Sequence, residues 1–430
     1  MRKKVVILGA GYAGIFAAAN LCGAKIFDIT LIDKNPYHLL LQQIPHVVSG
    51  EKKPDDIAVP LAELFGDEIT EGLLKIFHGI IKGVDLTTKT VRLEGVRSNA
   101  AAIVETLKYD YLIISLGAET HYFAVHGAEK HCLTFRSLQD AIKIRQKVES
   151  LSANSIVVVG GAGASGVSLA AALSEMDVVR EKELKIKVVD SATTILPGWD
   201  VRLAATSKNV LEAKGVQIIT GEKIRIVTSN FLKAESGKKI ESDCTIWTAG
   251  VKGYGIPIAP EVERTNAGRI AVDEYSRIPA FENAFAIGDI SAFKIVDSQV
   301  GSSGNNKNIS PQLAQFAARQ ASFVAKNIAN KEKGHKMIDK LTFSQRGHTI
   351  LLGNTGLGLL NGLLITGKLC DYAEDSIVDN FITETRKKEK KDISSTVLKA
   401  IHNMESSEYF PAPFDFVTYA TSEAFLDLMS

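Results

Sequence analysis

The chain has 430 residues, 45% of them hydrophobic and 23% charged, which excludes a largely disordered, collagenous or coiled-coil protein. At about 150 residues per domain it is roughly three domains long, too large for a single small binding module. Lys and Arg number 50 against 49 Asp and Glu, a formal charge of +1, so no net basic field supports a nucleic-acid partner.

The first segment pairs Arg2, Lys3 and Lys4 with an apolar stretch from Val5 to Ala19. A secretory signal has that outline, but it needs neither glycines at fixed spacing nor an acid after a second apolar run, and both are here. The segment reads as a strand, KVVILGA, then Gly9, Gly11 and Gly14 opening a helix of small residues, then a strand, DITLID, ending at Asp33. Gly9 permits a tight turn, Gly11 lets backbone amides approach a pyrophosphate at the positive helix end, and Gly14 lets helix pack on strand. Asp33 stands where a carboxylate can accept from a ribose diol. Next comes an apolar strand, KYDYLIISLGAET, leaving through Ser115, Gly117 and Ala118 beside that pocket.

The pattern recurs in SIVVVGGAGASGVSLAAAL, with Gly161, Gly163 and Gly166, and KIKVVD closes it at Asp190. Two such sites in one chain suit a flavin dinucleotide and a nicotinamide dinucleotide, which together make a hydride relay. A carboxylate at 190 accepts from a free 2′-hydroxyl and repels a 2′-phosphate, and no Arg follows at once, so NADH is expected over NADPH. A matching exit strand, DCTIWTAG, ends at Ala249 and Gly250, and a late strand in FENAFAIGDIS reaches Gly288 and Asp289. An acid there can hold a ribityl or ribose hydroxyl, or simply form a turn. The fold class expected is α/β with two Rossmann-like dinucleotide-binding domains.

Cys22, Cys132, Cys244 and Cys370 lie about a hundred residues apart, with no disulfide framework and no zinc spacing, so no metal is expected and a cytoplasmic, non-secreted setting fits. No apolar run reaches the roughly 18–20 residues of a membrane span; Gly356 to Gly367 is too short and contains Asn361.

With LIDKNPYHLL, YDYLIISLGAET, SLQDAIKIR, ILPGWD, IWTAGV, FAIGDI and PQLAQFAARQ, the chain from about residue 3 to 345 resembles the two-dinucleotide flavoprotein oxidoreductases, and most of all type II NADH dehydrogenases, which pass hydride equivalents from NADH through FAD to quinone. The resemblance implies an FAD domain split into 1–120 and 251–345, an NAD domain inserted at 121–250, and a C-terminal region, 346–430. It implies that Gly9, Gly11, Gly14 and Asp33 hold the adenosine half of FAD, with Lys34, Gly117 and Gly250 as further cofactor-binding residues. Gly288 and Asp289 would hold its ribityl-phosphate part, and Gly161, Gly163, Gly166 and Asp190 would hold NADH. Ala314 and Gln315 match the family's alanine-glutamine pair near the quinone-facing side of the flavin. His46, in the segment that approaches the flavin ring in the family, is a candidate proton donor or a packed histidine. Gln42 and Gln43 beside it serve as backbone partners on the plainer reading.

There are departures. Ser168 stands where the family usually has a Glu, and a hydroxyl can hydrogen-bond but not act as a carboxylate base. Arg319 replaces the first residue of a Gln or Glu pair. Disulfide reductases of this architecture need two nearby cysteines, which are absent, and sulfide:quinone oxidoreductases need a pair flanking the flavin, of which Cys132 matches one at most. A soluble electron-carrier reductase, or a low-turnover NADH-binding flavoprotein with a protein partner, are the other readings. Beyond about 345 the likeness fades. RKKEKK, 386–391, precedes an apolar stripe of Ile393, Val397, Ala400, Ile401 and Met404. That segment, 386–404, reads as a peripheral membrane contact, a solvated linker, or a homodimer contact.

Overall fold

The computed structural model describes residues 2–95, 104–295, 309–338, 341, 343, 347–360 and 363–367. Strand Lys3–Leu8 lies at the centre of a nine-stranded sheet, parallel to Phe27–Asp33 on one side and Tyr111–Ile114 on the other. Its last four residues are buried, which explains why VVIL is continuous rather than alternating: a parallel strand is covered on both faces. Successive side chains serve two cores. Val5, Ile7, Ile29, Leu31 and Ile113 face one, while Val6, Leu8, Ile32, Leu112 and Ile114 face the other. Helix Tyr12–Ala24 fills the first core with Ala13, Ile15, Ala17, Ala18 and Leu21, and helix Ala314–Glu332 packs along it. Strand Leu74–Asp85 is parallel to Phe27–Asp33 in its first half and antiparallel to Thr90–Gly95 in its second. The late strand Phe281–Ala286 joins beside Tyr111–Ile114.

A second sheet, all parallel, has the spatial order Cys132–Thr134, Cys244–Trp247, Ile156–Gly160, Lys185–Val189, Gln217–Ile219. Helix Ala164–Glu175 covers one face; the antiparallel strands Ile224–Val227, Phe231–Ala234 and Lys239–Glu241 cover the other, with Ile224, Val227 and Leu232 clustered against Val158, Val189 and Trp247. The chain passes between the two sheets through a two-stranded ribbon, Ala118–Thr120 against Val251–Gly253, with Glu119 and Lys252 paired at 3.3 Å.

The apolar run after Gly356 forms two strands, Gly356–Leu360 and Leu363–Thr366, of a three-stranded antiparallel sheet with Gly347–Leu351. This sheet docks on helices Ala164–Glu175 and Val201–Ala213 of the second unit. Its turn is keyed there: Glu175 accepts from Lys214 Nζ at 2.6 Å and from the Asn354 amide at 2.9 Å, and the rings of Trp199 and His348 lie 4.4 Å apart. Among the described residues no helix is long and apolar enough to cross a membrane. Segment 386–404 and Cys370 lie outside the described residues.

Candidate cofactor and active site

The two glycine loops are built alike. Gly11 and Gly163 cap helices Tyr12–Ala24 and Ala164–Glu175 in nearly the same conformation, φ −72°, ψ −175° and φ −72°, ψ −179°. Gly9 and Gly161 turn at φ +100° and +121°, where a side chain is strained. A β-carbon on Gly14 would lie 1.8 Å from the Gly9 carbonyl oxygen, and one on Gly166 would lie 1.9 Å from that of Gly161, so helix and loop touch through both glycines. A β-carbon on Gly11 or Gly163 would meet nothing within 4 Å. Each loop therefore leaves an open cradle at a helix N-terminus, the place for a pyrophosphate.

The acids complete the match. Asp33 accepts from the Ala10 amide at 2.7 Å and the Asn35 amide at 2.8 Å; Asp190 accepts from Ala162 at 2.6 Å and Ala192 at 2.7 Å. Each carboxylate thus braces its own glycine loop, a task the spacing argument did not assign. Burial raises the Asp33 carboxyl, against the amide bonds that lower it. The exit strands repeat the device: Ser115 Oγ donates to the Leu8 and Gly9 carbonyls at 2.8 and 3.0 Å, and Thr248 Oγ1 to those of Gly160 and Gly161 at 3.2 and 3.0 Å. Lys34 is exposed beside its acid.

At the other end of the first unit, Gly288 turns at φ +71° against Ala13 of the first helix and donates its amide to buried Gln320 at 2.8 Å. Gln320 also donates to Ser276 and Ser291, so helix Ala314–Glu332 is tied to the Gly288–Asp289 turn. Exposed Gln315 lies in the first turn of that helix. Burial raises the Asp289 carboxyl, while Arg136 and Arg269 pull it down. Arg269 is itself buried and donates to Ser291 and Ser310 carbonyls. Arg136 follows the second unit's edge strand and is pinned by Asp140, which accepts from the Arg136 and Ser137 amides and caps helix Leu138–Glu149. Reasoning from sequence missed Arg136, Arg269 and Gln320; the Arg just before SLQDAIKIR and the last Gln of PQLAQFAARQ were the available signals.

His46 is buried in the short helix Ile44–Ser49, which packs on helices Leu138–Glu149 and Ala164–Glu175, and its Nδ1 pairs with Glu51. Gln42 and Gln43 are side-chain acceptors rather than backbone partners: Gln42 takes the Tyr12 hydroxyl and Gln43 takes Lys52 Nζ at 2.7 Å. His38 was not singled out by sequence, yet its Nδ1 lies 2.9 Å from the Ala10 carbonyl and its ring stands edge-on to Tyr12 at 4.7 Å, inside the first loop. Burial lowers its pKa to about 4, so it is a neutral Nδ1–H donor. Ser168 is buried on the second fingerprint helix. Gly117, at φ +69°, has open space where a side chain would be, whereas Gly250 is covered by the ring of Phe123. Among the described residues no group of His, Cys, Asp and Glu could hold a metal.

Residues 3–321 match the family model for pyridine nucleotide-disulphide oxidoreductases. The chain belongs to this family. Among curated family relatives, the type II NADH:quinone oxidoreductase of Staphylococcus haemolyticus is 28% identical over 406 residues, covering 87% of this chain and 94% of that protein. The NADH dehydrogenase-like protein YutJ of Bacillus subtilis is 27% identical over 378 residues, 85% of this chain and 95% of that one. The fold matches NDH2 from Plasmodium falciparum in complex with NADH, TM-score 0.76 at 17% identity, over 90% of this chain and 96% of that one. It also matches the sulfide:quinone oxidoreductase of Aquifex aeolicus, TM-score 0.70 at 19% identity, over 90% and 92%.

Proposed function

We propose that the protein is an FAD-dependent NADH:quinone oxidoreductase. The observation that carries this reading is the duplicated open cradle: two glycine loops, each with its own braced acid, in a family member with type II NADH:quinone oxidoreductases among its relatives. Gly9, Gly11, Gly14, Asp33, Gly117, Gly288 and Asp289 would hold FAD, with Lys34 at the rim. Arg136 and Arg269 supply positive charge beside Asp289. Gly161, Gly163, Gly166, Asp190 and Gly250 would hold NADH. FAD, when bound, accepts a hydride from NADH and returns the electrons singly or as a pair.

The chain's own residues bind and orient. Two helix N-termini would face the two pyrophosphates, and the Asp190 carboxylate would disfavour a 2′-phosphate. Gln315, exposed in the first turn of its helix, would offer its side-chain amide to an acceptor carbonyl. Ser168 offers a hydroxyl but no base, so proton delivery falls to another group. That role would fall to buried His46, whose ring is held through Nδ1 by half-exposed Glu51. The sulfur-oxidising alternative is not favoured. Burial pushes the Cys132 thiol up to about 12 and the Cys244 thiol up to about 11, which suppresses the thiolate that sulfur transfer needs. Association with anionic membrane through 386–404 belongs to the same reading, with self-association through the same stripe as the competing outcome of sedimentation with liposomes.

Steady-state NADH consumption with a panel of acceptors tests the proposal. Turnover with a water-soluble quinone supports it; turnover only with a carrier protein, or with none, replaces it by the reductase or the low-turnover binding protein.

A further inference from the structure

The two glycine loops are held by the same pair of grips, made in different ways. In the first loop the Ala10 amide donates to Asp33 at 2.7 Å, and the Ala10 carbonyl accepts from His38 Nδ1 at 2.9 Å. In the second the Ala162 amide donates to Asp190 at 2.6 Å, and the Ala162 carbonyl accepts from the Leu196 backbone amide at 2.8 Å. Each alanine stands between the glycine that turns its loop and the glycine that opens its cradle, so fixing both its amide and its carbonyl fixes the cradle. The carbonyl grip is a side chain in the first unit and a backbone amide in the second.

A backbone grip is only as firm as the conformation that presents it. Leu196 is a buried, left-handed, non-glycine residue at φ +49°, a strained state that persists only where the surroundings over-determine it. Its side chain sits in the same core as Ala162 and Val167. A tight turn follows: the Trp199 amide donates to the Leu196 carbonyl at 3.0 Å, across Pro197 and Gly198, with Gly198 at φ +85°. Proline followed by a positive-φ glycine under such a bond marks a type II turn. Because that turn is stiff, whatever fixes the Trp199 ring also fixes Leu196.

The Trp199 ring meets the C-terminal sheet. It lies 4.4 Å from the His348 ring with the planes 36° apart, and His348 belongs to strand Gly347–Leu351, which packs on helix Ala164–Glu175. The sheet has a separate anchor at Glu175, which accepts from Lys214 and the Asn354 amide. Glu175 is the last residue of that helix, at the opposite end from the glycine loop. The first loop takes its carbonyl grip from His38, in strand Tyr37–Leu39 of its own unit.

We propose that the C-terminal sheet sets coenzyme affinity: His348, through Trp199, holds the Leu196 amide that braces the second glycine loop. The inference rests on the reading of the second unit as the NADH site. Trp199 and His348 act as positioning residues, and their effect falls on NADH and not on FAD. Loss of the ring contact makes the braced loop a smaller fraction of the molecules, and the apparent affinity falls with that fraction.

The test is equilibrium titration of NAD+ onto the oxidised, FAD-loaded full-length protein, read together with FAD content and the denaturation midpoint. His348→Ala should raise the Kd for NAD+ by roughly two- to fivefold, the upper figure corresponding to a whole ring contact of about 1 kcal/mol, with FAD content unchanged. His348→Phe keeps a ring and should restore the wild-type Kd, and His348→Gln serves in place of the alanine variant if that one fails to fold. Trp199→Ala should match His348→Ala, and the two together should do no more than either alone, because they remove one contact. In stopped flow, His348→Ala should raise the NADH concentration giving half-maximal flavin reduction and leave the limiting rate unchanged. Glu175→Gln separates positioning from general loosening: it weakens the other anchor, so it should lower the midpoint and leave the Kd alone. An unchanged Kd in His348→Ala, or an equal rise in Glu175→Gln, overturns the proposal. If the wild type binds no NAD+ at all, the NADH assignment itself has failed instead.

Discussion

Replacing Asp190 by Asn is the sharpest test of how the two acids work. The carboxylate accepts two short amide bonds, from Ala162 at 2.6 Å and Ala192 at 2.7 Å. Asn keeps one acceptor and turns an NH2 toward the other amide, so one charge-assisted bond is lost and two donors are set face to face. A bond to a charged group contributes about 1.5–3 kcal/mol, and at this half-buried site a loss of about 2 kcal/mol is expected, roughly thirtyfold in NADH affinity. The Ala162 amide belongs to the second glycine loop alone, so FAD content should be untouched. Asp33→Asn is the mirror: it disturbs the Ala10 and Asn35 bonds and should lower FAD occupancy first. The assay is NAD+ titration together with FAD released on denaturation, for both variants. Loss of FAD with intact NAD+ binding in Asp190→Asn would reverse the assignment of the two units, and no effect in either would refute the bracing role.

Three further outcomes follow from the geometry. His38 has its pKa lowered to about 4 by burial, below its unfolded value, so its contribution is present above about pH 6.5 and is lost as pH falls toward 4. About 3 kcal/mol is at stake by linkage, and the fall in melting temperature and FAD retention over that range should flatten in His38→Asn; equal slopes would remove His38 from the account. The Cys132 and Cys244 thiols, pushed up to about 12 and 11, should resist alkylation at pH 8 in the folded protein and react in urea, and Cys132→Ser should keep wild-type NADH oxidation. Rapid folded-state labelling of either, by peptide mass spectrometry, would reopen the sulfur reading. Glu175→Gln should weaken the ion pair that keys Asn354 to the second unit, costing about 2 kcal/mol of stability with both cofactor affinities preserved; an unchanged denaturation midpoint would count against the keyed turn.

Both glycine loops were legible in the sequence because their function is local: strand, turn, helix and acid all fall within about thirty residues, and each part has one physical reason to be there. The bonds that Asp33 and Asp190 accept from the Ala10 and Ala162 amides were not foreseen, since hydrogen-bond geometry has no sequence period. What stayed hidden depends on distant segments meeting. Arg136 reaches Asp289 only once the second unit is docked, and Gln320 meets Gly288 only after helix Ala314–Glu332 packs along Tyr12–Ala24. Phe123 looks like an ordinary loop residue until Gly250 arrives beneath it. The run after Gly356 was rightly too short for a membrane span, but its glycines and the Asn-Gly pair in its middle were hairpin signals, and it forms strands paired through Leu360 and Leu363.

The relay itself is tested most directly by two half-reactions under anaerobic conditions, followed by flavin absorbance in the FAD-loaded protein. NADH should bleach the flavin rapidly and NADPH roughly ten- to a hundredfold more slowly, the cost of a 2′-phosphate repelled by Asp190 and left without a partner. Adding a quinone to the bleached protein should restore the oxidised spectrum. A flavin that NADH leaves oxidised, or that NADH bleaches and no quinone restores, would contradict the account.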